Sequence, residues 1–354
     1  MGTLLVAAGG GGDAIAAAAL AALAPGGGVG IATMAWDRLL IDPLPGPRSA
    51  ADFTGLERHE GWWQVTHRSR PIEPAGSTLP RLSSEIPLPI VLLDPTEGAT
   101  GMHQQIRAAA AELGASHIRL VDVGGDVLGQ RGDPGLRSPF ADSLTAASCL
   151  NLSTVAWIAG PGLDGELTEA VVLERASGAK QLALYPEIWQ PLLPILAWHP
   201  TEASALLASA TLGVRGRVEI REAGLPVHLT EQSPTVLELD LRDVEKVNPL
   251  LSVLSNTDTL PEAERLALQI LGSTELDRER EKASRIFQRR PLAGDILADL
   301  DAWEAEARKE GTEFVTYRRL AEAFGRTDIV TFRDILMTKY PDRASGLLWE
   351  LRSP

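Results

Sequence analysis

Three short stretches of this sequence carry residue types that could do chemistry, and all three join glycine to acid. The first is Gly9-Gly10-Gly11-Gly12-Asp13. Residues without side chains let backbone approach a ligand closely, and the N–H groups that open a following helix point at an anion. The run satisfies G-x-G-x-x-A from Gly9 to Ala14, and Asp37 lies near where an acid would take a ribose hydroxyl. Four consecutive glycines satisfy many patterns, however, and Asp13 would repel a bare phosphate unless a cation or a hydroxyl intervened. The second stretch is Asp122-Val123-Gly124-Gly125-Asp126, continuing through Arg131, Asp133, Arg137, Ser138 and Asp142. Carboxylates beside glycine at a strand end are oxygen ligands suited to Mg²⁺, here Asp122 and Asp126, with Asp142 next in line. Arg131 and Arg137, like Arg38, are matched to a phosphate or carboxylate held by paired N–H donors. The third is Gly160-Pro161-Gly162-Leu163-Asp164-Gly165-Glu166, where Asp164 and Glu166 are candidate general bases. Each stretch also reads as a plain turn with capping acids, and the balance tilts least that way for Asp126.

Absences narrow the chemistry further. There is no H-E-x-x-H, no G-x-S-x-G and no G-x-x-x-x-G-K-[ST], and the six histidines show no metal-ligand spacing. His199 and Glu202 could form an acid/base pair, but Thr201-Glu202 reads more simply as the first turn of a helix. Cys149, the only cysteine, falls in an apolar helix and reads as an inert buried thiol. Glycine loops, acids and arginines remain. That set suits metal-assisted transfer or hydrolysis on a phosphorylated or nucleotide-like ligand, with Mg²⁺ as the implied ion, better than acyl transfer. A nicotinamide-dependent oxidoreductase using the first loop and Asp37 ranks second, since no proton donor accompanies it. A non-catalytic small-molecule-binding protein ranks third.

The elements that would position these residues follow from the hydrophobic pattern. TLLVAA is a short buried strand, DAIAAAALAALA a helix with Asp13 as its N-cap, and VGIATMAW a second strand, together a βαβ unit. IPLPIVLLDP, HIRLVDVGGD and STVAWIAG supply three more strands, with helices at 101–114 and from Ser138-Pro139. This repeated grammar predicts an α/β fold, a doubly wound and mainly parallel Rossmann-like sheet, whose strand ends would bring the three stretches to one crevice. Residues 37–89, rich in Pro, Gly, Arg and Trp, read as an irregular insertion. RGRVEIREAGLPVHL reads as a hairpin turning at Ala-Gly, and PTVLELDL as one more strand. The expected organisation is a ligand-binding domain over 1–246 and a mainly helical region over 247–354 packing on it. Charge-dense ELDREREKASRIFQRR reads there as a solvated helix face, and 311–340 as a helical cap in preference to a helix-turn-helix.

Composition bounds the partners. Among 354 residues, 44% are apolar and 23% charged, an ordinary globular balance. A net charge of -14 argues against nucleic acid and against anionic membranes. A small anionic ligand is compatible with a locally positive pocket, and a homo-oligomer stays open. One cysteine, no basic leader and no apolar run of spanning length lead to the expectation of a cytoplasmic protein.

The segments AAGGGGD, AWDRLLIDPLPGPRSAADFTGL, DVGGDVLGQRGDPGLRSPFADSL, GPGLDGEL and HPTEASA together resemble an uncharacterised family of archaeal and actinobacterial proteins, domain of unknown function number 1152. The resemblance spans roughly residues 3–240. It implies one coherent α/β unit and attaches no reaction to any residue.

Overall fold

The computed structural model describes residues 2–221, 226–286, 296–326, 328–341, 343 and 346–351. Five parallel strands form its centre: β1 (Gly2–Ala7), β2 (Gly28–Met34), β3 (Ile90–Leu93), β4 (Ala115–Val123) and β5 (Val155–Ala159). They lie in the order β3-β2-β1-β4-β5. Two antiparallel strands extend this sheet beyond β5 (Thr235–Asp240, then Lys180–Ala183), and two more extend it beyond β3 (Trp62–Val65, then Glu57–His59).

The central strands read as continuous apolar runs because both faces are covered. Leu4 and Val6 point into one buried cluster with Met102 and Ile106 of helix α2 (Gly98–Glu112) and Leu144 of helix α3 (Pro139–Cys149). Their neighbours Leu5 and Ala7 point into the other, with Ile15 and Leu20 of helix α1 (Gly11–Leu20) and Leu206 and Leu207 of helix α4 (Ala203–Thr211). Helices on both faces make the sheet doubly wound. The chain leaves β1 for β2 on one side and reaches β4 on the other, so a topological switch point opens between β1 and β4 at their carboxyl ends.

The insertion at 37–89 is more regular than its composition suggests. Trp62–Val65 and Glu57–His59 form a hairpin that lengthens the sheet, turning at Gly61 with φ +83°. The Pro-rich turn is tied down locally, because Arg48 donates to the carbonyls of Pro45 and Gly46 at 2.6 and 2.7 Å and pairs with Asp42 at 3.0 Å.

The later hairpin is also present, Gly216–Glu219 against Val227–Leu229, and its expected Ala-Gly turn lies outside the described residues. Gly216–Glu219 pairs in turn with Phe314–Val315, which pairs with Trp349–Glu350. Residues from 317 onward supply α6 (Tyr317–Ala323) and a helix Ile329–Lys339, which pack on a core around Trp349. Helix α5 (Glu275–Ile286) lies against α3. No helix among the described residues is long and apolar enough to cross a membrane.

Candidate functional site

A cavity of about 130 Å³ opens at the switch point. Its wall draws on all three glycine–acid stretches: Gly9, Gly10, Gly12 and Asp13 after β1, Asp126, Ser138 and Asp142 after β4, and Asp164 and Glu166 after β5. Nine carboxylate side chains line it against two arginines, Arg38 and Arg221. Gathering that many acids under the surface costs free energy unless they hold protons or a cation.

The glycine loop is built for closeness. A Cβ on Gly10 would lie 2.1 Å from the carbonyl oxygen of Trp36, so the loop can pass the end of β2 only without a side chain. Helix α1 begins at Gly11, two residues earlier than the sequence suggests, with Gly10 at the N-cap position and no side-chain cap. Asp13 is therefore not the cap. It sits in the first turn and accepts the N–H of Gly9 at 3.0 Å, folding the loop back on itself. Gly11 faces Thr78 and Leu79 and does not line the cavity, so enlarging it would disturb packing before it touched a ligand.

At the far side of the switch point, Asp122 ends β4 with 1% of its surface exposed. Its Oδ2 accepts the N–H of Val127 at 3.2 Å, and its Oδ1 has no hydrogen-bond partner. Gly124 and Gly125 follow with φ +117° and +109°, a left-handed turn that leads into Asp126. Asp126, expected as a co-ligand of Asp122, lines the cavity with its carboxyl within hydrogen-bonding reach of Asp122. Asp13 and Asp142 also converge on Asp122, and one oxygen from each of Asp13, Asp122 and Asp142 lies within 4.8 Å of the others. Oxygens facing one another across Mg²⁺ or Ca²⁺ are separated by about 4–5 Å, so this trio has the span of a hard-cation site.

The acids hold their protons unusually tightly. Burial, then repulsion from Asp122, lifts Asp13 to about 7, and burial lifts Asp122 to about 6. Burial and neighbouring carboxylates push Asp126, Asp142 and Asp164 well above the ordinary range. Asp164 accepts the N–H of Glu166 at 3.0 Å through Oδ1, while its Oδ2 is buried without a partner.

Glu166 does something different from the base expected of it. Its carboxylate accepts the N–H groups of Arg137 and Ser138 at 2.6 and 2.7 Å, the Ser138 hydroxyl, and Arg221 at 3.0 Å. Glu275, from α5, accepts the N–H groups of Phe140 and Ala141 and is lifted by burial to about 8. Two carboxylates distant in sequence thus satisfy the free N–H groups that open α3, the helix that presents Asp142.

Arg131 and Arg137 are both exposed, and neither lines the cavity; Arg137 contributes its backbone alone. Arg221, Glu275 and Glu279 line it and were not singled out from the sequence. Asp37 is engaged elsewhere. It accepts the hydroxyl and N–H of Thr78 at 2.7 and 3.1 Å and the hydroxyl of Ser77 at 3.1 Å, which leaves it poorly placed to take a ribose. Thr78 is reached in turn by His199 Nε2 at 3.2 Å, and His199 Nδ1 accepts the N–H of Thr201 at 3.2 Å. Burial lowers His199 to about 3, so the ring is neutral and bears its proton on Nε2. Glu202 joins distant segments, accepting the Thr316 hydroxyl at 2.5 Å and the Arg221 N–H at 3.1 Å. His199 and Glu202 both line the cavity, each hydrogen-bonded to groups of other segments.

Trp36 donates to both oxygens of Glu279 at 3.1 Å and meets Phe140 edge-on, so it packs the wall. Cys149 is buried with its thiol pushed up to about 12.

Thr78→Val is expected to cost about 2–3 kcal/mol, because it strips a donor from buried Asp37 and an acceptor from His199. Urea denaturation measures this, and a loss below about 0.5 kcal/mol would show that the chain of bonds is not holding the wall.

A family model described as "Protein of unknown function (DUF1152)" matches residues 4–283. The chain belongs to that family. The matched region contains the glycine loop, all three members of the carboxylate trio, and both acids that α5 sends to the cavity. No curated protein and no solved structure matches the chain.

Proposed function

We propose that this protein is an enzyme that binds a small phosphorylated or nucleotide-like ligand at the Gly9–Asp13 loop and acts on it with a divalent cation, in a transfer or hydrolysis reaction. The observation that carries the reading is the convergence of Asp13, Asp122 and Asp142 from three separate segments onto one point at the switch of the sheet. Mg²⁺ is the ion this oxygen set suits, and it would polarise a phosphoryl oxygen or a water. Asp164, which lines the cavity and whose buried Oδ2 has no hydrogen-bond partner, is the candidate acid–base group, with Asp126 beside it. The cavity is too small to enclose a dinucleotide, since pockets that bury drug-sized ligands run to about 300–1,000 Å³. It suits the charged end of a ligand whose remainder lies outside. Together with the engagement of Asp37, this puts the nicotinamide reading behind.

The test is a thermal-shift screen of nucleotides and sugar phosphates with and without Mg²⁺, followed by turnover on any hit. Stabilisation that requires Mg²⁺, and a loss of turnover of 100-fold or more in Asp142→Asn, are expected. A metal-independent shift with NAD(H) or NADP(H) would favour the oxidoreductase, and turnover untouched in Asp142→Asn would remove the trio from the chemistry.

A further inference from the structure

Four cationic side chains gather beside the acid-lined cavity, and two of them form no ion pair among the described residues. Arg221 pairs with Glu166 at 3.0 Å, and Arg318 of α6 pairs with Glu202 at 3.4 Å and Glu322 at 3.2 Å. Arg38 lines the cavity, is exposed, and forms no ion pair or side-chain hydrogen bond among the described residues. Lys282, likewise exposed and unpaired among them, lies three residues beyond Glu279, which lines the cavity; that spacing puts Lys282 one turn further along the same side of α5.

We propose that Arg38 and Lys282, backed by Arg221 and Arg318, form the rim subsite for a phosphomonoester dianion, whose phosphoryl group bridges from this rim to the cation held by the carboxylate trio. The inference rests on the reading above and adds where the anionic group is gripped and how much charge it carries. Two cations that no carboxylate holds in an ion pair match a dianion better than a carboxylate monoanion. A guanidinium offers paired donors to phosphate oxygens, and a lysine adds a mobile point charge. The cations also oppose one another: partial desolvation and repulsion from Arg318 and Arg221 disfavour the charged forms of Arg38 and Lys282, against the opposite pull of Glu166 and Glu202 on Arg38 and of Glu322 on Lys282. An anion among them offsets that repulsion. The rim further explains why helices remote in sequence reach the switch point: Lys282 and Arg318 come from α5 and α6.

Calorimetric titration separates the two parts of the account. Wild type and the variants Arg38→Gln, Lys282→Gln and the double variant are titrated with Mg²⁺ alone, with inorganic phosphate alone, and with phosphate or acetate at saturating Mg²⁺. Both substituted side chains are exposed, and unchanged melting temperatures verify folding. The expected result is phosphate binding at least tenfold tighter than acetate, weakened tenfold or more by either single substitution, with Mg²⁺ affinity retained. Phosphate binding that is undiminished in the double variant, absent in wild type, or no tighter than acetate would overturn the subsite. If Mg²⁺ alone fails to bind wild type, the trio reading falls by itself. Arg38-dependent binding of phosphate alone would then still sustain the rim.

Discussion

Without divalent cations, the melting temperature should fall by at least about 4 °C between pH 6.5 and pH 8.5, and millimolar Mg²⁺ should restore it more at the higher pH. The sign follows from the raised carboxylates. A buried acid whose folded pKa exceeds its unfolded value of about 4 adds stability that is complete below that value and lost as pH rises through the folded one. Asp13 at about 7, Glu275 at about 8, and Asp126, Asp142 and Asp164 well above their usual range therefore lose stability through neutrality. Between pH 6.5 and their folded values Asp13 and Glu275 together contribute about 2.7 kcal/mol, or about 4 °C for a chain of this length. The window avoids ordinary carboxylates, which are already ionised. It also avoids the opposite effect of His199, whose depressed pKa of about 3 removes stability only as pH falls below about 6.5. A cation replaces protons on its ligands, so its binding strengthens as they leave. A melting temperature that stays flat with pH in chelator, or a Mg²⁺ shift equal at both pH values, would contradict this picture of the cavity.

The second large effect is expected at Gly10. Alanine there sets its Cβ 2.1 Å from the Trp36 carbonyl oxygen and 3.0 Å from its carbon, both backbone atoms that cannot rotate away. The ends of β1 and β2 must separate, at a cost of about 3 kcal/mol or more. Asp13 moves with the loop, so the Mg²⁺-dependent stabilisation should vanish even where the protein still folds. Gly12→Ala is the control. Its Cβ would meet the Thr201 hydroxyl at 2.9 Å, a side chain able to turn, so a loss under about 1.5 kcal/mol is expected. Equal losses from the two substitutions, measured by urea denaturation, would mean that the close pass at Trp36 does not govern the loop.

Much of the fold is legible in local pattern. Each parallel strand is a short apolar run, three of the five end in glycine and acid, and covering both faces leaves no polar alternation to confuse the reading. The strand ends then carried the three glycine–acid stretches to one cavity, as a doubly wound sheet dictates. Roles within the cavity were less legible, because they depend on direction. Asp122 looks like one of a pair with Asp126 in sequence, and nothing local shows that Asp13 and Asp142 converge on it from other segments. Glu166 looks like a free base until the opening N–H groups of α3 occupy it, and Arg137 lends its backbone in place of its charge. Of the residues missed altogether, Arg221 lies in the segment read as a hairpin and the others in one read as a solvated helix face. ELDREREKASRIFQRR is dense in charge, yet Glu275, Glu279 and Lys282 recur at intervals of four and three, one face of a helix. That spacing was the available signal, and such a face can border a charged cavity as well as solvent.

The central claim, that Asp13, Asp122 and Asp142 together hold a divalent cation, is tested most directly by crystals grown with Mn²⁺ and measured at a wavelength where manganese scatters anomalously. The account predicts one strong anomalous peak between these three carboxylates, within about 2.1–2.4 Å of an oxygen from each, and its loss in Asp122→Asn. A cavity without a peak at saturating Mn²⁺, or a peak bound by other residues with the trio left unliganded, would contradict it.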